Sequence, residues 1–183
     1  MPNNETNHVV VIAREDDITR LRREACIIGP TGVPVLDFGK VIPQPEEIKA
    51  SHDTPGANPP WYRWCIDNWG TKWGAYSPTV FTIEEVVGYR DYPEDTPHTE
   101  RVRYSMLTMV FETAWSQPTP ILAKLAGEYD AYVEAVTFDE CGFDDVHYQS
   151  DETVDSLLMV TKSAESYDAK FFARHHLMPK AVS

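Results

Sequence analysis

A chain of 183 residues, 42% hydrophobic and 25% charged, is long enough to bury one core without disulfide or metal staples and too apolar to stay disordered. No stretch nears the roughly 18 apolar residues of a membrane span, and residues 1–5 have neither the basic region nor the apolar core of a signal peptide, so one soluble, cytoplasmic domain over 1–183 with no membrane partner is expected. The formal charge of −13 is regional: ten acids and no Lys or Arg fall within 128–155, leaving 19 acids against 16 bases, or −3, elsewhere. Such a field repels phosphate backbones, which disfavours direct nucleic-acid binding there, and it attracts basic surfaces.

In chain order, residues 8–13 form a β-rich run, and Ile18, Leu21, Arg22, Ala25 and Cys26 follow at helical spacing behind three acids that suit the helix dipole. Gly29-Pro30 stops that helix, and residues 33–42 return to strand composition, with Pro34 and Gly39 placing them at an edge or bulge. Five prolines punctuate 43–60, an excursion from the core. Trp61, Trp64, Cys65 and Trp69 then mark one face of a short helix ended by Gly70.

Residues 80–87 read as a strand, 89–99 as a polar loop, and 101–115 as the longest strand, apolar on both faces toward its end and so central. Thr119-Pro120 starts a helix with Thr119 as N-cap; Ile121, Leu122 and Leu125 form its buried stripe and Gly127 its stop. Residues 131–138 are strand-like, 146–149 and 157–161 extend the sheet, and Ala164, Tyr167, Phe171, Phe172 and His175 mark an amphipathic C-terminal helix. Strand, helix, strand taken twice is the split βαβ order, predicting a ferredoxin-like α+β domain. It carries a Trp-rich helical insertion at about 43–78 and a C-terminal helix at about 163–177.

The chemistry-bearing patterns are sparse. Six histidines form no HxH or HExxH pair, Cys26, Cys65 and Cys141 stand apart as free thiols of a reducing compartment, and phosphate-binding glycine loops are missing. No catalytic residue, metal or cofactor is therefore expected, and the chain is read as no enzyme. Two patches remain. Glu134, Asp139, Glu140, Asp144, Asp145, Asp151 and Glu152 form a candidate acidic face for a basic partner; its bland counterpart is a solvated edge. Trp69, Lys72 and Trp73, joined by Trp115, form a candidate stacking or cation–π platform, against which packing of a helix end is the favoured explanation.

The stretches Phe38-Gly39-Lys40-Val41-Ile42-Pro43-Gln44-Pro45, Trp69-Gly70-Thr71-Lys72-Trp73 and Phe111-Glu112-Thr113-Ala114-Trp115-Ser116-Gln117-Pro118 resemble three signatures of the Api92-like proteins of phages and plasmids. The resemblance spans about 36–140 in matching order, departing at Gln117, where proline is usual, and in the N-terminal strand and helix. The acidic stretch and the C-terminal helix do not map onto the family's signatures. The resemblance implies a ferredoxin-like domain and a mobile-element origin but no activity; the size of Trp69, Trp73 and Trp115 gives them, on physical grounds, the role of docking the inserted helix onto the sheet. The resulting expectation is a noncatalytic accessory protein that binds a host protein, such as a defence or nucleic-acid-handling complex, through an acidic DNA-mimicking face. The alternative is nucleotide or single-stranded nucleic-acid binding through the Trp/Lys platform.

Overall fold

The structure, a computed structural model, describes the backbone of residues 4–53, 59–90, 100–139, 142–149 and 158–162, and the side chains of 4–53, 59–85 and 104–138. The helix expected at 163–177 lies outside the described residues, as do Glu140, Cys141, Asp151 and Glu152.

Strand β1 (Asn4–Arg14) is longer than its apolar run because it is paired on both sides, antiparallel to β5 (Glu100–Ala114) and to β6 (Tyr132–Asp139). Its alternation turns Val9, Val11 and Ala13 into the main core. Helix α1 (Glu15–Ala25) packs Ile18, Leu21 and Ala25 into that core, with three acids in its first turn and Arg22 and Arg23 in its last, as the helix dipole favours.

The expected strand at 33–42 is corrected. Only β3 (Pro34–Leu36) is extended, and it pairs with β2 (Cys26–Ile28) in a separate two-stranded ribbon closed by a turn in which the Gly29 amide donates to Val33 O. Asp37 then ends the extended backbone, because its carboxylate accepts from the Gly39 amide at 2.9 Å and caps the short helix α2 (Phe38–Val41). The second strand of the first βαβ unit is instead β4 (Tyr76–Arg90). It follows two further helices, α3 (Glu46–Ala50) and α4 (Pro60–Trp69), the second matching the expected indole helix.

Among the described residues the main sheet runs β4-β5-β1-β6, then β7 (Gly142–Gln149) and β8 (Leu158–Lys162), every neighbour antiparallel. The first strands of the two βαβ units, β1 and β5, lie side by side, and their second strands, β4 and β6, flank them; this is the ferredoxin-like split βαβ arrangement. Helix α5 (Thr119–Glu128) closes the second unit with Ile121, Leu122 and Leu125 buried; Thr119 is its first residue rather than its cap, and Gly127 lies within it. Among the described residues no helix is long and apolar enough to cross a membrane.

Two thiols sit in this core. Burial pushes Cys26 up to about 12 and Cys65 up to about 11, the latter against a hydrogen bond from Gln44 that pulls the other way. Both stay protonated where an unfolded thiol ionises near 9.0, so their contribution to stability is complete below that pH and is lost as pH rises toward about 12. Titration with a disulfide reagent at pH 8 is expected to leave Cys26 and Cys65 unreacted until denaturant is added. Prompt reaction at either would show that the core around it opens readily.

Candidate functional site

Three segments far apart in sequence meet at one end of the sheet. From the first, Phe38 sets its ring edge-on to Trp69 at 6.0 Å and to Phe111 at 6.2 Å, while Ile42 O accepts from Trp69 Nε1 at 2.9 Å. Trp69 also meets Trp64 edge-on at 5.5 Å and is only 7% exposed. Its indole N–H is satisfied by the backbone, and its ring belongs to the core.

Gly70 closes α4 in the left-handed conformation at φ +78°, which turns the chain away from the buried indole stripe. Thr71, fully buried, then clasps the end of β5: its hydroxyl donates to Ala114 O at 2.8 Å and accepts from the Ala114 amide at 3.2 Å. Ser116 Oγ donates to Gly70 O in return. A buried polar chain continues the joint: Gln117 Nε2 donates to Thr137 Oγ1, Thr137 Oγ1 to Asn7 Oδ1, and Asn7 Nδ2 to Thr113 Oγ1, each at 2.8 Å.

Outside this clasp lie the polar and aromatic groups it positions. Lys72 Nζ stands 4.6 Å from the Trp73 ring centre, 4.8 Å from that of Trp115 and 5.9 Å from that of Tyr62. Tyr62 meets Trp115 edge-on at 6.1 Å, and Trp73 lies tilted beside Tyr76 at 6.5 Å. Trp115 is 43% exposed and is held at φ +69°, a left-handed backbone that costs a bulky residue about 1–2 kcal/mol. The fold therefore spends backbone strain on presenting an indole to solvent, as strained residues at binding sites do. Burial raises the Tyr76 phenol above its ordinary range, with the Glu112 charge adding, so it stays a neutral donor to Asn4 Oδ1 at 2.8 Å.

Of the platform residues expected from sequence, Lys72, Trp73 and Trp115 are brought together, whereas Trp69 is withdrawn into the core by its contacts with Phe38, Trp64 and Ile42. Tyr62 joins them although it falls outside the Trp61, Trp64, Cys65, Trp69 stripe; only the return of the chain through Gly70 brings Lys72 and Trp115 over it.

The acidic face is corrected at Glu134. This residue is 1% exposed and stands on an interior strand of the sheet, opposite Val10 on β1 and His147 on β7. Asp139 ends β6 opposite Gly142; Asp144 and Asp145 pair in register with Thr137 and Val136. Elsewhere, a cleft of about 360 Å³ between α1, α2 and α5 holds Glu24, Lys40, Lys124 and Glu128, but Lys124 pairs with Glu128 at 3.1 Å and Lys40 donates to Cys26 O at 2.9 Å, so its charges are spent locally. No group of three or more His, Cys, Asp or Glu among the described residues is placed to hold a metal.

Residues 92–171 match the family described as the ferredoxin-like domain in Api92-like protein. Over that segment the chain is similar to the ferredoxin-like domain of Api92-like proteins, in keeping with the split βαβ arrangement of its sheet. The matched segment holds β5, α5, β6, β7 and β8, and with them the third signature, while β1, α1 and the first two signatures precede it. It also takes in the whole acidic stretch at 128–155, which the signatures alone left outside the resemblance. No curated protein and no solved structure matches the chain.

Proposed function

We propose that this Api92-like chain is a noncatalytic accessory protein of a mobile element that acts in the host cytoplasm by binding a host protein with a basic surface. The observation that carries the reading is Trp115, a 43% exposed indole held in strained backbone and walled by Tyr62 and Lys72. A large ring fixed before binding loses little entropy on contact, which is why tryptophan dominates binding hot spots. The acids at 128–155 supply the long-range field that draws in such a partner, and a nucleic-acid-handling or defence complex with a basic groove has the matching charge.

The test is retention of basic host proteins on the immobilised chain at low and high salt, followed by affinity measurement with the purified partner. Trp115→Ala is expected to weaken the complex about tenfold or more through faster dissociation. Neutralising Asp139, Glu140, Asp144 and Asp145 together is expected to slow association and flatten its salt dependence. A complex indifferent to both changes would end this reading.

The exposed ring also supports a second reading, stacking of a nucleotide or single-stranded base on Trp115 and Trp73 beside the Lys72 ammonium. It predicts tryptophan quenching by nucleotides or oligonucleotides that Trp73→Ala removes. Unchanged fluorescence across bases would discard it.

A further inference from the structure

Lys72 is held in an unusual way. Its ammonium is ringed by Trp73, Trp115 and Tyr62 at 4.6, 4.8 and 5.9 Å, and among the described residues no carboxylate pairs with it. Aromatic faces carry negative potential and attract cations that are cheap to desolvate, so three rings around one ammonium have the composition of a receptor for an organic cation. Lys72 and its rings are partly exposed and Trp115 opens to solvent, which gives an incoming group a route that leaves the fold untouched. The wall is rigid: Gly70, Thr71 and Ser116 fix both backbones that carry the rings.

We infer that Tyr62, Trp73 and Trp115 form a binding site for an organic cation, a quaternary ammonium or the guanidinium of an arginine side chain, and that Lys72 is its built-in occupant. The inference deepens the binding reading above by naming what a partner inserts at Trp115; it concerns the cage alone and so stands apart from the partner's identity. An arriving cation displaces Lys72, whose flexible stem lets the ammonium move into water. While Lys72 occupies the cage, apparent affinity for any external cation is lowered by the fraction of molecules in which the cage is open.

The probes are tetramethylammonium chloride and N-acetyl-arginine amide, titrated against tryptophan fluorescence at ionic strength matched with sodium chloride. Lys72→Ala is expected to bind at least one probe saturably and about tenfold more tightly than wild type, and Trp115→Ala added to it to abolish binding. The preferred probe shows whether the site is made for quaternary ammonium or for arginine. A second readout uses the unmutated chain: the Lys72 Cε methylene signals, displaced upfield by the surrounding rings, should move toward ordinary lysine positions as the probe saturates. Equal affinity of wild type and Lys72→Ala, saturable binding that leaves those signals unmoved, or no saturable binding to either protein would each overturn the inference. Partner binding unchanged by Trp115→Ala, beside the expected probe behaviour of Lys72→Ala, would mark a failed partner reading with the cage intact, whereas partner binding weakened by Trp115→Ala without saturable probe binding would mark a failed cage alone.

Discussion

Gly70→Ala is expected to lower the unfolding free energy by about 3 kcal/mol, seen as a lower urea midpoint with an unchanged slope. Two costs combine. Gly70 sits at φ +78°, where a side chain costs about 1–2 kcal/mol. The added Cβ would also lie 2.8 Å from Pro120 Cδ, 3.0 Å from Gln117 O and 3.3 Å from Thr119 N. A proline ring and two backbone atoms cannot rotate aside, so the overlap must be relieved by moving α4 away from the start of α5, at about 1–3 kcal/mol.

That movement has a functional consequence. Gly70 O accepts from Ser116 Oγ and Thr71 is bonded twice to Ala114, so separating the helices loosens the mount of Lys72 and Trp115 together. Gly70→Ala should therefore reduce the ring-induced displacement of the Lys72 signals even at temperatures where the protein stays folded. A variant with the wild-type midpoint would mean that the end of α4 and the 115–120 segment do not touch in solution.

The sequence made the sheet more legible than the site. The period of two in β1, β5 and β6 and the indole stripe of α4 are direct consequences of which faces must be dry, and each element was found where its pattern placed it. The strand expected at 33–42 failed because a local event, Asp37 capping a turn, outweighed β composition in a segment with no sheet neighbour beyond a three-residue partner. Glu134 fails for the opposite reason: nothing in residues 131–138 tells whether their strand lies at an edge or inside the sheet, and β7 and β8, which join later in the chain, make β6 an interior strand. Four indoles between 61 and 73 look alike in sequence. Which of them is core and which is surface is decided by a single left-handed residue, Gly70, after which the chain leaves the buried stripe; Trp115 is exposed by its own left-handed backbone, for which the residue type gives no warning.

Asn7→Leu is expected to cost about 2–3 kcal/mol although leucine matches asparagine in size and suits a buried strand. Asn7 is fully buried on the core face of β1, where its Nδ2 donates to Thr113 Oγ1 at 2.8 Å and to Glu5 O at 3.1 Å and its Oδ1 accepts from Thr137 Oγ1 at 2.8 Å. Removing it strands a donor on β6 and an acceptor on β5 in a region water does not reach, and each such loss costs about 1–3 kcal/mol, partly offset by the apolar surface gained. Because the cost arises from partners left behind, Asn7→Leu combined with Thr137→Val should be milder than the sum of the two single changes by about 1 kcal/mol. Strict additivity would show that the two side chains do not share a hydrogen bond. The same chain of bonds holds the turn after β5, since Thr113 Oγ1 donates to Ser116 O and Gln117 Nε2 to Thr137 Oγ1, both at 2.8 Å. Gln117, where Api92-like signatures usually carry proline, thus anchors by a side chain a turn that proline would stiffen through its backbone, and Trp115 projects from that turn. Asn7→Leu should accordingly broaden the Trp115 indole resonance in the folded protein, whereas a sharp, unshifted resonance would confine the buried chain of bonds to stability alone.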